Sequence, residues 1–152
     1  MLLGLSVAAA ARPRAAAAIE PLDRRVDELE RLVEGLLFPS EADAPLAVVR
    51  WPRPAAPPSA AHLAALVGEP HPAIVEELAA RDWLRSPATP RPWHDAEERL
   101  VATRFTALAA FFDRHLPTAR AFRFGRVTLR TYAVGVTTAG DWLGLTATEV
   151  ET

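Results

Sequence analysis

Residues Ala121 to Val150 read AFRFGRVTLRTYAVGVTTAGDWLGLTATEV, and this stretch decides the fold. Its apolar period is two, with turn signals at Gly125 and at Ala139-Gly140. It therefore parses into three consecutive strands: Ala121 to Phe124, Val127 to Val136 and Trp142 to Val150. In the middle strand Val127 and Leu129 have one parity, Val134 and Val136 the other. Both faces carry apolar residues, which predicts helices on each side of the sheet. Adding a strand at Leu46 to Trp51 gives the expected class, α/β in the α+β sense. The architecture is a single-domain three-layer α/β/α sandwich around a mixed, mostly antiparallel sheet of about four strands.

Upstream the period changes to that of helices. Leu22, Val26, Leu29, Val33 and Leu36 recur at 4-3-4-3 spacing and make one buried stripe. Pro21 suits the first turn of that helix, and Pro39 is expected to stop it close to Phe38. Ser40 to Asp43 is then a polar loop, with Glu41 exposed on a short connection. Past the prolines at 52, 54, 57 and 58, Ser59 caps a short helix through Val67, closed by Gly68. A second short helix is expected from Pro72, with Ile74, Val75, Leu78 and Ala79 inward. Ser86 to Trp93 reads as a stiff, proline-rich surface loop. The longest helix runs from about His94 or Asp95 to Leu116, acidic at its start and basic at its end.

Composition excludes several classes. The chain has 152 residues, half of them hydrophobic, which suits one globular domain. It has no cysteine, so no disulfide framework or thiolate metal site is available. A formal charge of −2 gives no pull toward nucleic acid or an acidic membrane. The four histidines are scattered without an i,i+4 pair, which argues against zinc. No phosphate loop, nucleophile elbow or Ser/His/Asp set is signalled, so an enzyme is not expected. Residues 1–20 read as a low-complexity extension, expected to be disordered, before a domain at 21–152. Leu2 to Ala11 has the apolar character of an export signal. It lacks a preceding positive charge and is only about ten residues long, so the expected location is the cytoplasm.

The last residues, Glu149-Val150-Glu151-Thr152, end a strand in two carboxylates and a hydroxyl, hard oxygen donors of the kind Mg²⁺ prefers. Taken singly, Glu41 is a solvated loop acid, Trp93 a core edge or an anchor, and a terminal Thr a frayed end. Together they stand in an ordered set of motifs: Glu34-Gly35-Leu36-Leu37-Phe38 with Ser40-Glu41, then Thr89-Pro90 with Trp93. Glu97-Glu98, Phe105, Gly125, Tyr132, Gly135, Thr138-Ala139-Gly140, Gly144 and Val150-Glu151-Thr152 follow. In this order and to this end, the chain resembles the nuclease A inhibitor family from about Val26 to Thr152.

The resemblance implies a PR-1-like form of the sandwich and a monomeric protein plug for a sugar-non-specific, Mg²⁺-dependent DNA/RNA nuclease. It implies that Thr152, beside Glu151, reaches the partner's Mg²⁺, that Glu41 mimics the scissile phosphate, and that Trp93 forms a second contact patch. The chain would need no cofactor of its own, no direct nucleic acid and no membrane. One position departs: Pro92 stands where the family has an aspartate beside the tryptophan, with His94-Asp95 the nearest substitute. Two other readings come from the residues themselves. Arg120, Arg123, Arg126 and Arg130 form a basic run that suits a nucleic-acid-binding module. A general protein-interaction domain on the same fold is the other.

Overall fold

The computed structural model describes residues 22–54, 56–70 and 74–150, without the side chains of residues 74 and 75. The extension expected at 1–20 and the tip residues Glu151 and Thr152 lie outside the described residues.

Helix α1 covers 22–33. Its stripe of Val26, Leu29 and Val33 is buried, as is Leu36 beyond it. The helix does not continue to Phe38. Gly35 takes φ +69°, the left-handed conformation that closes a helix, and Leu36 N–H turns back to the Val33 carbonyl at 2.9 Å. The glycine therefore overrides the apolar spacing and the later proline. Leu37–Phe38 becomes β1 and pairs antiparallel with β2, Ala44–Pro45. The polar loop thus sits at the tip of a hairpin and not at a helix end.

Strand β3 (Ala47–Trp51) and helix α2 (Ala60–Val67) fall where the sequence puts them. Ser59 Oγ accepts the His62 N–H at 3.2 Å and Gly68 closes the helix. The next segment differs from expectation. Ile74–Ala79 is strand β4, antiparallel to β5 (Arg120–Gly125), and helix α3 spans Ala80–Ala88. Acidic Glu76 and Glu77 pair with arginines on β5, a cross-strand gain that a sequence reading of this short segment misses. Ser86-Pro87 lies in the last turn of α3 and not in a loop. Buried Trp83 and Leu84 hold that helix, and a proline so near the end disrupts little of it.

Helix α4 (Ala96–His115) starts at Asp95 with a reciprocal capping box: Asp95 Oδ1 accepts Glu98 N–H at 2.8 Å, and Glu98 Oε1 accepts Asp95 N–H at 2.9 Å. Strands β5, β6 (Thr128–Val136) and β7 (Trp142–Val150) follow. At the β5–β6 turn Gly125 has φ +111°, and a Cβ there would fall 2.2 Å from the Thr128 carbonyl oxygen. Only glycine fits.

The sheet order is β3-β7-β6-β5-β4, and every neighbouring pair is antiparallel. The expected mixture of directions is absent among the described strands, and five strands replace about four because Ile74–Ala79 joins the edge. The chain is thus α+β, with four helices, this open sheet and a two-stranded ribbon among the described residues. Successive residues of the strands feed two cores. Ala121, Ala133, Leu143, Leu145 and Ala147 pack with Leu29 of α1, Leu84 of α3 and Phe105, Leu108 and Phe112 of α4. Phe122, Phe124, Val134 and Trp142 pack with Leu63 and Ala64 of α2. Small alanines face the phenylalanines of α4, so rings fill the space that the strands leave. Each fully buried ring contributes about 1.5–3 kcal/mol.

Candidate functional site

The hairpin loop is built against the end of the last strand. Strand β3 pairs with β7 only as far as Thr146, which leaves the end of β7 with an open edge. The loop closes that edge. Val150 N–H donates to Ser40 Oγ at 3.1 Å, and Glu41 N–H donates to the Val150 carbonyl at 3.3 Å. An edge whose backbone groups are paired in this way has a fixed register. Within the loop, Ser40 N–H donates to Asp43 Oδ1 at 3.1 Å and Ser40 Oγ–H to the Ala42 carbonyl at 3.0 Å. These bonds hold Glu41 exposed at the tip, next to the last described residue of β7.

Beneath this junction lies a buried polar network. Glu149 is only 6 % exposed. Its Oε2 accepts Thr131 Oγ1–H at 2.5 Å and Trp83 Nε1–H at 3.2 Å, while Oε1 accepts from Arg123 at 2.9 Å. Arg123 also pairs with Glu76. Trp83 in turn stacks on Phe38, with ring centres 4.5 Å apart and planes 10° from parallel. Phe38 belongs to the hairpin and Glu149 to the last strand. One indole therefore ties the element that carries Glu41 to the element that leads to Glu151 and Thr152. The sequence reading missed this network. Its signal was parity: Glu149 shares the inward parity of Leu143, Leu145 and Ala147.

Trp93 is 75 % exposed, not a core edge. It projects from a tight turn that His94 closes on itself: Arg91 N–H donates to His94 Nδ1 and His94 N–H to the Arg91 carbonyl, both at 3.1 Å. Asp95 does not supply a carboxylate beside Trp93, because its side chain caps α4. Asp43 of the hairpin loop lines the same groove as Trp93 instead. The structure thus brings Glu41 together with the end of β7, and puts Trp93 on a groove that reaches the base of the Glu41 loop at Pro39 and Asp43. Glu151 and Thr152 lie outside the described residues.

Three of the four arginines of the basic run are engaged internally, and Arg126 is exposed at the β5–β6 turn. Arg120 bonds Glu77 at 3.2 Å, Arg123 is shared by Glu76 and Glu149, and Arg130 grips the buried Glu69 through two nitrogens. The Glu69 hydrogen bond raises the Arg130 pKa, and burial raises that of neighbouring Tyr132. Paired arginines hold strands together and present little charge to phosphates. No group of three or more His, Asp or Glu able to hold a metal occurs among the described residues. None of their helices is long and apolar enough to cross a membrane.

No curated protein matches the chain. The family model for nuclease A inhibitor-like proteins matches residues 23–152, nearly the whole chain, and the protein belongs to that family.

Proposed function

We propose that this protein is a plug for the active site of a Mg²⁺-dependent, sugar-non-specific endonuclease, working as a monomer in the cytoplasm. Thr152 supplies the oxygen that meets the partner's Mg²⁺, with Glu151 beside it, and Glu41 takes the place of the scissile phosphate. A catalytic Mg²⁺ keeps coordination positions for substrate and water, and a hydroxyl on a slim strand end suits such a position. A carboxylate in the phosphate site uses the field that the enzyme built for its substrate. Trp93 anchors a second patch. The three-layer sandwich, PR-1-like, belongs to the same reading, since the two cores draw on helices from opposite parities of the strands.

One observation carries the reading: the two hydrogen bonds between Ser40-Glu41 and Val150. Thr152 follows Val150 by two residues, a reach of at most about 7 Å. The loop that carries Glu41 is therefore held to the end of β7, the strand from which the chain runs on to Glu151 and Thr152, and this supports a single plug. The test is an activity titration. A purified nuclease of this class, with Mg²⁺ present, loses its activity at a one-to-one ratio with the protein. Full activity at a tenfold excess would end the proposal. The nucleic-acid-binding alternative is the weaker reading, because three of the four arginines of its basic run, Arg120, Arg123 and Arg130, are held by carboxylates.

A further inference from the structure

A cavity of about 350 Å³ opens between the start of α1, the end of α4 and the β6–β7 turn. Three basic side chains line it, Arg25 from α1 and Arg114 and His115 from α4, and three threonines, Thr118, Thr137 and Thr138, lie on the connections around them. None of its described lining residues is a carboxylate. Basic residues in the last turn of α4 complement the helix dipole, which accounts for Arg114 and His115. It does not account for Arg25, which another helix brings to the same space. Glu28 takes one nitrogen of Arg25 at 3.0 Å, and Asp113, next to Arg114 in sequence, is paired with Arg81. Among the described residues, no carboxylate pairs with Arg114. The crowding acts on His115: Arg25 and Arg114 join burial in lowering its pKa, and Glu28 opposes them. Thr137 Oγ1 accepts the Asp141 N–H at 3.1 Å, so its own proton remains to be donated.

We propose that this cavity binds an oxyanion of the phosphate class, with the Arg25 and Arg114 guanidinium groups, His115 and the threonine hydroxyls as its donors. Guanidinium groups match the oxygens of such an anion in charge and in geometry. Like charges that converge from two helices repel one another, and a bound anion relieves that repulsion. Local contacts hold the donors in place. The His115 ring lies 4.8 Å from that of Phe111, and the Thr137 carbonyl accepts the Gly140 N–H at 2.9 Å, which closes the turn. The site is independent of the plug, since none of Glu41, Trp93 and Val150 lines the cavity.

The test titrates the whole chain with inorganic phosphate, at constant ionic strength balanced with sodium chloride, and follows the His115 ring protons by NMR. Saturable shifts of those resonances are expected, with an affinity about tenfold weaker in Arg25→Gln and in Arg114→Gln. Arg114 is exposed, so its variant keeps the fold. Arg126→Gln, at an exposed arginine of the β5–β6 turn, binds phosphate as the parent does. Sulfate, whose charge is constant over the titration, moves the His115 pKa back up toward its ordinary value of about 6.5. A nucleoside 5′-monophosphate in place of phosphate separates the sources. Equal or weaker affinity gives the site to the free anion and tighter binding gives it to a phosphomonoester, and both outcomes uphold it. Chloride that produces the same shifts, equal affinity in Arg114→Gln and the parent, or an equal loss in Arg126→Gln would each overturn the proposal.

Discussion

Glu41 and Glu149 are acids near the same junction with opposite tasks. Glu41 is exposed at the loop tip, so its removal leaves the core untouched. Glu41→Ala is expected to weaken nuclease inhibition by about 2–5 kcal/mol, the cost of losing a charged contact that complex formation buries. Its thermal unfolding should match the parent. Glu149 is buried against Arg123, Thr131 and Trp83, so Glu149→Ala strands a partly buried guanidinium. A loss of about 3–5 kcal/mol in a denaturant titration follows, and Glu149→Gln should recover part of it through the hydrogen bonds that remain. If Glu149→Ala unfolds like the parent, the network is not what holds the end of β7. Neither role was fully legible in the sequence. Glu41 stood out only through the family likeness, since a loop acid carries no signature of its own. Glu149 was visible as an acid at an inward position, but its partners come from β5, β6 and α3, which only folding brings together.

At the scale of elements, the hairpin matters most, and it was the element misread. The 4-3-4-3 apolar spacing through Leu36 argued for a longer helix, yet a single Gly35 at φ +69° turned the chain early. Gly35→Val places a β-branched residue in that conformation and should cost about 1 kcal/mol or more in stability. Because the hairpin shifts, inhibition should weaken too. Ser40→Ala removes the acceptor for Val150 N–H and should cost about 1 kcal/mol of stability. The sharper expectation is functional. Ser40→Ala should raise the inhibition constant although the hydroxyl is spent inside the protein. An unchanged constant would separate loop anchoring from inhibition. Strand β4 was hidden for a related reason. Ile74 to Ala79 suits a helix or a strand, and the choice falls to Glu76 and Glu77 meeting arginines that lie more than forty residues away. The strands at Ala121 to Val150 were legible throughout, because alternation and turn glycines agree there.

At the scale of the whole molecule, His115 makes one signed contribution to the pH dependence of stability. Burial lowers its pKa, aided by Arg25 and Arg114 and opposed by Glu28. The unfolded chain therefore takes up the proton first, near its ordinary pKa of about 6.5. The stability from this residue is complete above that pH and is lost as the pH falls through 6.5 toward the lower folded value. Unfolding midpoints measured between pH 8 and 5 should decline on the acid side, and His115→Gln should flatten that decline. His115 lines a cavity with Arg25 and Thr137 that includes none of the plug residues, so inhibition measured below the unfolding range should not follow the same curve. Composition had already set two outer limits of the molecule: no cysteine for disulfides, and charge near balance. It could not indicate that three of the four arginines in the basic run are consumed by internal ion pairs.

The most direct measurement is a double-mutant cycle on the inhibition of a purified Mg²⁺-dependent, sugar-non-specific nuclease, using Glu41→Ala, deletion of Thr152, and both together. If the two groups fill one phosphate-and-metal site, each single change raises the inhibition constant at least about thirtyfold, and the double change costs less than the product of the two. All three variants unfold at the parent's midpoint. Variants that inhibit as tightly as the parent, or effects that simply multiply, would contradict the claim that loop and chain end act as one plug.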